Sequence, residues 1–163
     1  MKTLYLVRHA KAGWHDPAMA DFDRRLTKRG HKQADEMSHR LHKQKIMPEL
    51  LISSPASRAI ETAEIFADTL GIERELIMQK IEIYEGQAEA LAAIVQALPD
   101  EYGTAMLFGH NPVISAFADW LTGKSIGNMH TCGIVKIELD IPRWKEAVAG
   151  SGTLDWYEFP EKG

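Results

Sequence analysis

A single cysteine, Cys132, rules out an internal disulfide, and 163 residues are enough to bury a core that needs no covalent staple. A reducing cytoplasm is the expected setting. Long apolar runs are also missing. The one nearest the start, Leu4 to Val7, is cut off by Arg8, which leaves neither the apolar region of a signal peptide nor a span for a membrane helix. Nor is there an excess of positive charge. Nineteen Lys and Arg stand against 23 Asp and Glu, a formal net charge of -4, so no global field draws the chain to nucleic acid or anionic lipid. Any basic site has to be local. No repeat, low-complexity tract or compositional break divides the sequence. With 45% hydrophobic and 26% charged residues, one globular domain over residues 1–163 is expected.

What is present is an alternation. Leu4-Tyr5-Leu6-Val7, Leu50-Leu51-Ile52 and Ala105-Met106-Leu107-Phe108 are short continuous apolar runs, the pattern of parallel strands covered on both faces. Between them lie stripes of helical period: Ala34, Met37 and Leu41, then Ala59, Ala63, Phe66 and Leu70, then Leu91, Val95 and Leu98, halted at Pro99-Asp100. Ser54-Pro55 and Asn111-Pro112 read as helix starts, each a capping side chain before a proline at the first helical position. Gly71 and Gly123 read as C-terminal stops. Ile134 to Leu139 and Leu154 to Phe159 are expected to add strands at the C-terminal end, with Pro142 to Gly152 a surface connection between them. The fold class is α/β with a mostly parallel sheet.

Open α/β sheets bind ligands outside the carboxyl ends of their strands. Here the first strand runs into Arg8-His9, the second into Ser53-Ser54 with Arg58 in the first turn of the next helix, and the later one into Gly109-His110. Two arginines and two histidines would share one edge, toward which the helix N-termini after Ser54 and Asn111 aim unpaired N–H groups. A phosphoryl group is the natural guest. Two planar guanidinium groups suit its equatorial oxygens. A histidine kept neutral by neighbouring cations has a ring lone pair with which to attack phosphorus.

Taken in order, these blocks resemble a known family. Leu6-Val7-Arg8-His9-Ala10-Lys11, Asp21-Phe22-Asp23-Arg24-Arg25-Leu26-Thr27 with Gly30, Ser53-Ser54-Pro55 with Arg58 and Thr62-Ala63, and Gly109-His110-Asn111-Pro112 are similar to the histidine phosphatase superfamily, in its SixA-like phosphohistidine phosphatase branch. The resemblance implies a three-layer α/β/α fold of the phosphoglycerate mutase type and catalysis with neither metal nor cofactor. It also implies a phosphohistidine intermediate on His9, with Arg8, Arg58 and His110 holding the phosphoryl oxygens. Ile83-Tyr84-Glu85 resembles the segment that carries the proton-donating acid in mutase-like members, which makes Glu85 the acid candidate. Asp16, Asp21 and Asp23 are rival carboxylates, with Asp23 and Arg24 expected to brace the loop after the nucleophile.

The stretch between Arg58 and His110 is too short for two helices, a strand and a large lid. An open pocket suits a phosphorylated side chain on another protein. A small phosphomonoester as substrate, or a non-catalytic module that binds phosphorylated partners, is the alternative. Other motifs lack the context they need. Ala118 to Ser125 fits a relaxed phosphate-binding loop and Gly123 to Gly127 a nucleophile elbow, but both should follow a strand and here follow a helical stripe. Cys132 has Glu138 where a cysteine phosphatase needs arginine, so it reads as a small core residue. His31, His39 and His42 project from the solvated side of their helix, and no paired-cysteine or H-E-x-x-H pattern supports zinc. His15 and His130 could touch substrate but read as surface residues, and Trp14, near the pocket, could contact a partner protein but is grouped with a mainly buried set of four tryptophans.

Overall fold

The computed structural model describes residues 1–160. Its six strands are β1 (Lys2–Arg8), β2 (Leu50–Ser53), β3 (Met78–Gln79), β4 (Thr104–Gly109), β5 (Ile134–Leu139) and β6 (Gly152–Glu158), joined in the order β3-β2-β4-β1-β5-β6. The pairs β2–β3, β2–β4 and β1–β4 are parallel, while β5 runs against both of its neighbours. The helices are α1 (Lys28–Lys43), α2 (Ser57–Leu70), α3 (Glu82–Glu85), α4 (Ala88–Gln96) and α5 (Val113–Thr122).

Strand pleating divides the core into two layers. Along β1, Leu4 and Leu6 pack with Leu91, Val95, Phe117 and Leu121 of α4 and α5. Tyr5 and Val7 face the other way, onto Met37 and Leu41 of α1 and Phe66 and Leu70 of α2. Helices on both faces make every position of the strand an inside position, so the run is apolar without alternation. Each such side chain stabilises the fold by roughly 1.5–3 kcal/mol. This is the three-layer, mostly parallel architecture expected from the sequence.

Register then sets the site. Arg8 lies beside Gly109 and Ser53 beside Phe108, which levels the carboxyl ends of β1, β4 and β2. Inserting β4 between β1 and β2 makes the three ends neighbours. Gly30 presses the start of α1 onto the loop that follows: a Cβ on it would sit 2.1 Å from the Lys11 carbonyl oxygen. Thr27 caps α1, its side chain accepting from the Gly30 N–H, and its own N–H donates to the same Lys11 oxygen at 3.0 Å.

Three local expectations need correction. The helices after Ser54 and Asn111 start later, at Ser57 and Val113, with no side-chain cap on either. Ser54 Oγ instead accepts from the Ala56 N–H, and Asn111 Oδ1 accepts from Ser115 Oγ. The Asn111–Pro112 peptide is cis. Secondly, the segment from Pro142 to Gly152 is more than a surface connection. Trp144 within it is completely buried, with its indole N–H donating to the Tyr102 carbonyl at 2.8 Å. Thirdly, Trp14 is exposed, with the Arg24 guanidinium 4.9 Å above its ring. Gly71 and Gly123 end α2 and α5 in left-handed conformations, as expected. Residues 118–125 are therefore the end of α5 and its turn, and Cys132 is a buried thiol.

Candidate active site

His9 leaves the end of β1 with its backbone held on two sides. Its N–H donates to the Gly109 carbonyl at 3.1 Å, and its carbonyl accepts from the Cys132 N–H at 3.0 Å. The next N–H, of Ala10, donates to Thr62 Oγ1, which donates in turn to the Arg58 carbonyl. One threonine on α2 thus fixes the loop after β1 against the helix that carries Arg58.

The His9 ring is buried, and its Nδ1 lies 2.7 Å from the Ala10 carbonyl oxygen. A carbonyl can only accept, so Nδ1 carries the proton and Nε2 the lone pair. Burial lowers the His9 pKa to about 3, with smaller contributions in the same direction from His110, Arg58 and Arg8 and a hydrogen bond to Ala10 acting against them. Desolvation, rather than the arginines, is the main reason this ring stays neutral.

The other three residues do converge on it. The His110 ring centroid is 5.3 Å from that of His9. His110 Nε2 lies 2.8 Å from Ser54 Oγ, while its buried Nδ1 has no hydrogen-bond partner among the described residues. Its pKa is lowered to about 4, first by burial and then by Arg58 and Arg8. Arg8 donates from Nη1 to the Met129 carbonyl at 2.7 Å, and its buried Nε is also unpartnered. Arg58, 7% exposed, donates from Nη1 to the Asp21 carbonyl and from Nη2 to the Asp21 carboxylate at 3.1 Å.

Glu85 stands apart. It is exposed at the end of α3, and among the described residues no hydrogen bond or ion pair joins it to His9, Arg58 or His110. Ile83 explains why, since burying it turns the residue two positions on toward the opposite side of the helix. Tyr84 faces the site instead. Its ring meets His110 edge-on at 5.6 Å, the Arg58 guanidinium lies 6.0 Å from its centroid, and its hydroxyl donates to Asp21 Oδ2 at 2.9 Å. Asp21, rather than Asp23, braces the loop, because it also accepts from Arg24. Burial raises the Asp21 pKa, but the hydrogen bonds from Tyr84, Arg24 and Arg58 outweigh it and hold the carboxyl ionised. Asp16 accepts only from the Ala18 N–H nearby.

Sequence reasoning missed Tyr84 and the Arg58 contact of Asp21. The helical phase set by Ile83 was the available signal for the tyrosine. Nothing local could show that Ser115 Oγ accepts from the Met129 N–H and so fixes the carbonyl that holds Arg8. Among the described residues, no cluster of three or more His, Cys, Asp or Glu is arranged to hold a metal ion.

The profile of the histidine phosphatase superfamily (branch 1) matches residues 4–107. The chain belongs to that superfamily. Phosphohistidine phosphatase SixA of Escherichia coli (strain K12) is 26% identical over 159 residues, covering 96% of this chain and 93% of SixA. An uncharacterised chloroplastic protein of Arabidopsis thaliana is 32% identical over 164 residues, covering 95% of this chain and 74% of its own length. Among solved structures, the protein histidine phosphatase SixA complexed with tungstate gives a TM-score of 0.83 at 26% identity, with 96% of each chain covered. A mycobacterial glucosyl-3-phosphoglycerate phosphatase with inorganic phosphate shares the fold, with a TM-score of 0.70 at 17% identity over 96% of each chain. Membership of the histidine phosphatase superfamily makes this chain a hydrolase of phosphate compounds.

Proposed function

We propose that this phosphatase removes the phosphoryl group from phosphohistidine in a protein substrate, through a phosphohistidine intermediate on its own His9. The observation that carries the reading is the 2.7 Å contact of His9 Nδ1 with the Ala10 carbonyl. It commits the proton to Nδ1 and leaves Nε2 as the nucleophile.

In the first step Nε2 bonds to phosphorus as the bond from phosphorus to the substrate imidazole breaks. The electron pair goes to that imidazole, which departs neutral when its other ring nitrogen is already protonated. Water then attacks phosphorus, the bond to Nε2 breaks, the pair returns to His9, and a proton is released with inorganic phosphate. Arg8 and Arg58 offset the charge on the equatorial oxygens, and each such donor contributes about 100-fold or more. In this reading Ser54 Oγ–H, 2.8 Å from His110 Nε2, donates to it, and the buried Nδ1–H is then free to donate to the same oxygens.

Substrate class follows from the carboxylates. Asp21 is held ionised and Glu85 is exposed at the end of α3, bonded to none of the site residues among the described residues, so neither is assigned the proton for an alkoxide. A neutral imidazole, whose conjugate acid has a pKa of about 6.5, leaves without that help. This supports a phosphoramidate over a phosphomonoester, and these residues need no metal for the chemistry.

The test is incubation with phosphoramidate followed by mapping of acid-labile phosphate. Label on His9, turnover insensitive to a chelator, and faster release from a phosphorylated histidine-transfer domain than from sugar or nucleotide phosphates are expected. Label elsewhere overturns the mechanism. Faster turnover of the phosphomonoesters overturns the substrate assignment.

A further inference from the structure

Among the protein's eight arginines, six hold a carboxylate: Arg24, Arg25, Arg40, Arg58, Arg74 and Arg143. Among the described residues Arg8 and Arg29 hold none. Arg8 belongs to the phosphoryl site. Arg29 lines a separate hollow of about 220 Å³ at the same edge of the sheet, shared with Lys11, Gln33, His130, Thr131 and Phe159. Among the described residues Lys11 has no carboxylate partner either, and it is exposed.

The hollow adjoins the nucleophile. Lys11 is two residues after His9, so their α-carbons are at most about 7 Å apart. Gln33 spans the floor, its Oε1 accepting from the Lys11 N–H at 2.9 Å and its Nε2 donating to Thr131 Oγ1 at 3.1 Å. One wall is stiff, because His130 stacks on Phe159 with centroids 4.1 Å apart. Cys132, which follows Thr131 in the chain, donates its N–H to the His9 carbonyl.

Charge here runs against both the whole chain and the local helix. From Arg8 to Arg29 there are six Lys and Arg against three Asp, in a chain of net charge -4. Lys28 and Arg29 open α1, whose first turn contains no acidic residue. Cations are disfavoured at that positive end of the helix dipole. Cations without a carboxylate partner among the described residues, concentrated where helix electrostatics opposes them, suit an anionic partner.

We propose that this hollow is a docking subsite for an acidic segment of the partner protein, with Lys11 and Arg29 receiving an Asp or Glu carboxylate a few residues from the phosphohistidine. The inference rests on the reading that the substrate is a phosphohistidine protein. Phosphoryl transfer occurs at His9, and the hollow selects which phosphohistidine is presented to it.

The test compares kcat/KM for a phosphohistidine peptide flanked by Asp and Glu, for the same peptide with Asn and Gln, and for para-nitrophenyl phosphate. Wild type should favour the acidic peptide about tenfold, as two partly exposed charge pairs allow. K11A/R29A should abolish that preference, chiefly through KM, while para-nitrophenyl phosphate turnover stays within about twofold and so reports an intact fold. The preference should also vanish in wild type between about 0.05 M and about 0.5 M salt. Equal rates for the two peptides, or a preference that survives K11A/R29A, overturn the docking subsite alone. Turnover of para-nitrophenyl phosphate with none of either peptide overturns the phosphohistidine reading, and the subsite with it.

Discussion

At the amino end of β1 Lys2 is 5% exposed, and its ammonium donates to the Asp100 carbonyl at 2.6 Å and the Tyr102 carbonyl at 3.0 Å, with the Trp144 ring 5.5 Å away. Trp144 adds bonds to Tyr102 and to the Asp100 carboxylate. At the carboxyl end of the same strand, Arg8 makes one bond to a carbonyl and leaves its Nε unpartnered, beside a neutral buried histidine and a second orphaned nitrogen on His110. One end of the strand satisfies its buried polar groups internally and serves stability. The other keeps donors unmatched against the usual rule, as the proposed phosphoryl site requires and a structural staple does not.

The largest expected effect separates chemistry from folding outright. His9→Ala should reduce turnover at least about a thousandfold while the melting temperature changes little, and retention of a tenth of the wild-type rate would falsify the nucleophile assignment. The two ends of β1 should then respond in opposite ways. Arg8→Met is expected to lower kcat/KM about 100-fold. Lys2→Met should leave kcat/KM within about twofold but cost about 2–3 kcal/mol in denaturant unfolding, because two buried carbonyls lose a charged donor. A shared response in both assays would erase the contrast.

Acid should weaken the active-site end specifically. The folded-state pKa values of about 3 for His9 and about 4 for His110 lie below the ordinary histidine value of 6.5. The unfolded chain therefore binds these protons first as pH falls. Stability is complete above about pH 6.5 and declines toward pH 3, with a slope of at most about 2.7 kcal/mol per pH unit when both histidines contribute. His9→Gln with His110→Gln should flatten that decline, measured by unfolding at pH 7 and pH 4.5. An unchanged slope would remove both rings as its source.

A smaller effect tests how the edge is assembled. Gly30→Ala must displace the Lys11 carbonyl, and about 1–3 kcal/mol of stability should be lost together with part of kcat. Least of all, Glu85→Gln should change kcat by less than about twofold, and a tenfold fall would reinstate it as the acid.

The continuous apolar runs revealed the strands because both faces of the sheet are covered, and Gly71 and Gly123 marked helix ends because their left-handed backbone favours glycine. Arg8, His9, Arg58 and His110 were legible for a related reason. The residue leaving the end of a parallel strand has a predictable place, whatever its distance in sequence. Trp144 was not legible, since a tryptophan in a polar connection gives no sign of the Tyr102 carbonyl that will receive its N–H. Glu85 was named from a short motif, which carries no direction, and the structure leaves it exposed at the end of α3. Its orientation follows from which face of a four-residue helix is buried.

Sequence alone determined the strand and helix alternation, the local concentration of cations in a chain of net charge -4, and residue types suited to a phosphoryl group. All of these are written in periodicity and composition, which act over one or two turns or strands. Tertiary structure decided the neutral tautomer of His9, the choice of Asp21 and Tyr84 over Glu85 and Asp23 around Arg58, and the separation of a second cationic hollow from the first. Those depend on desolvation and on hydrogen bonds between residues far apart along the chain, quantities that exist only once the sheet has brought its strand ends together.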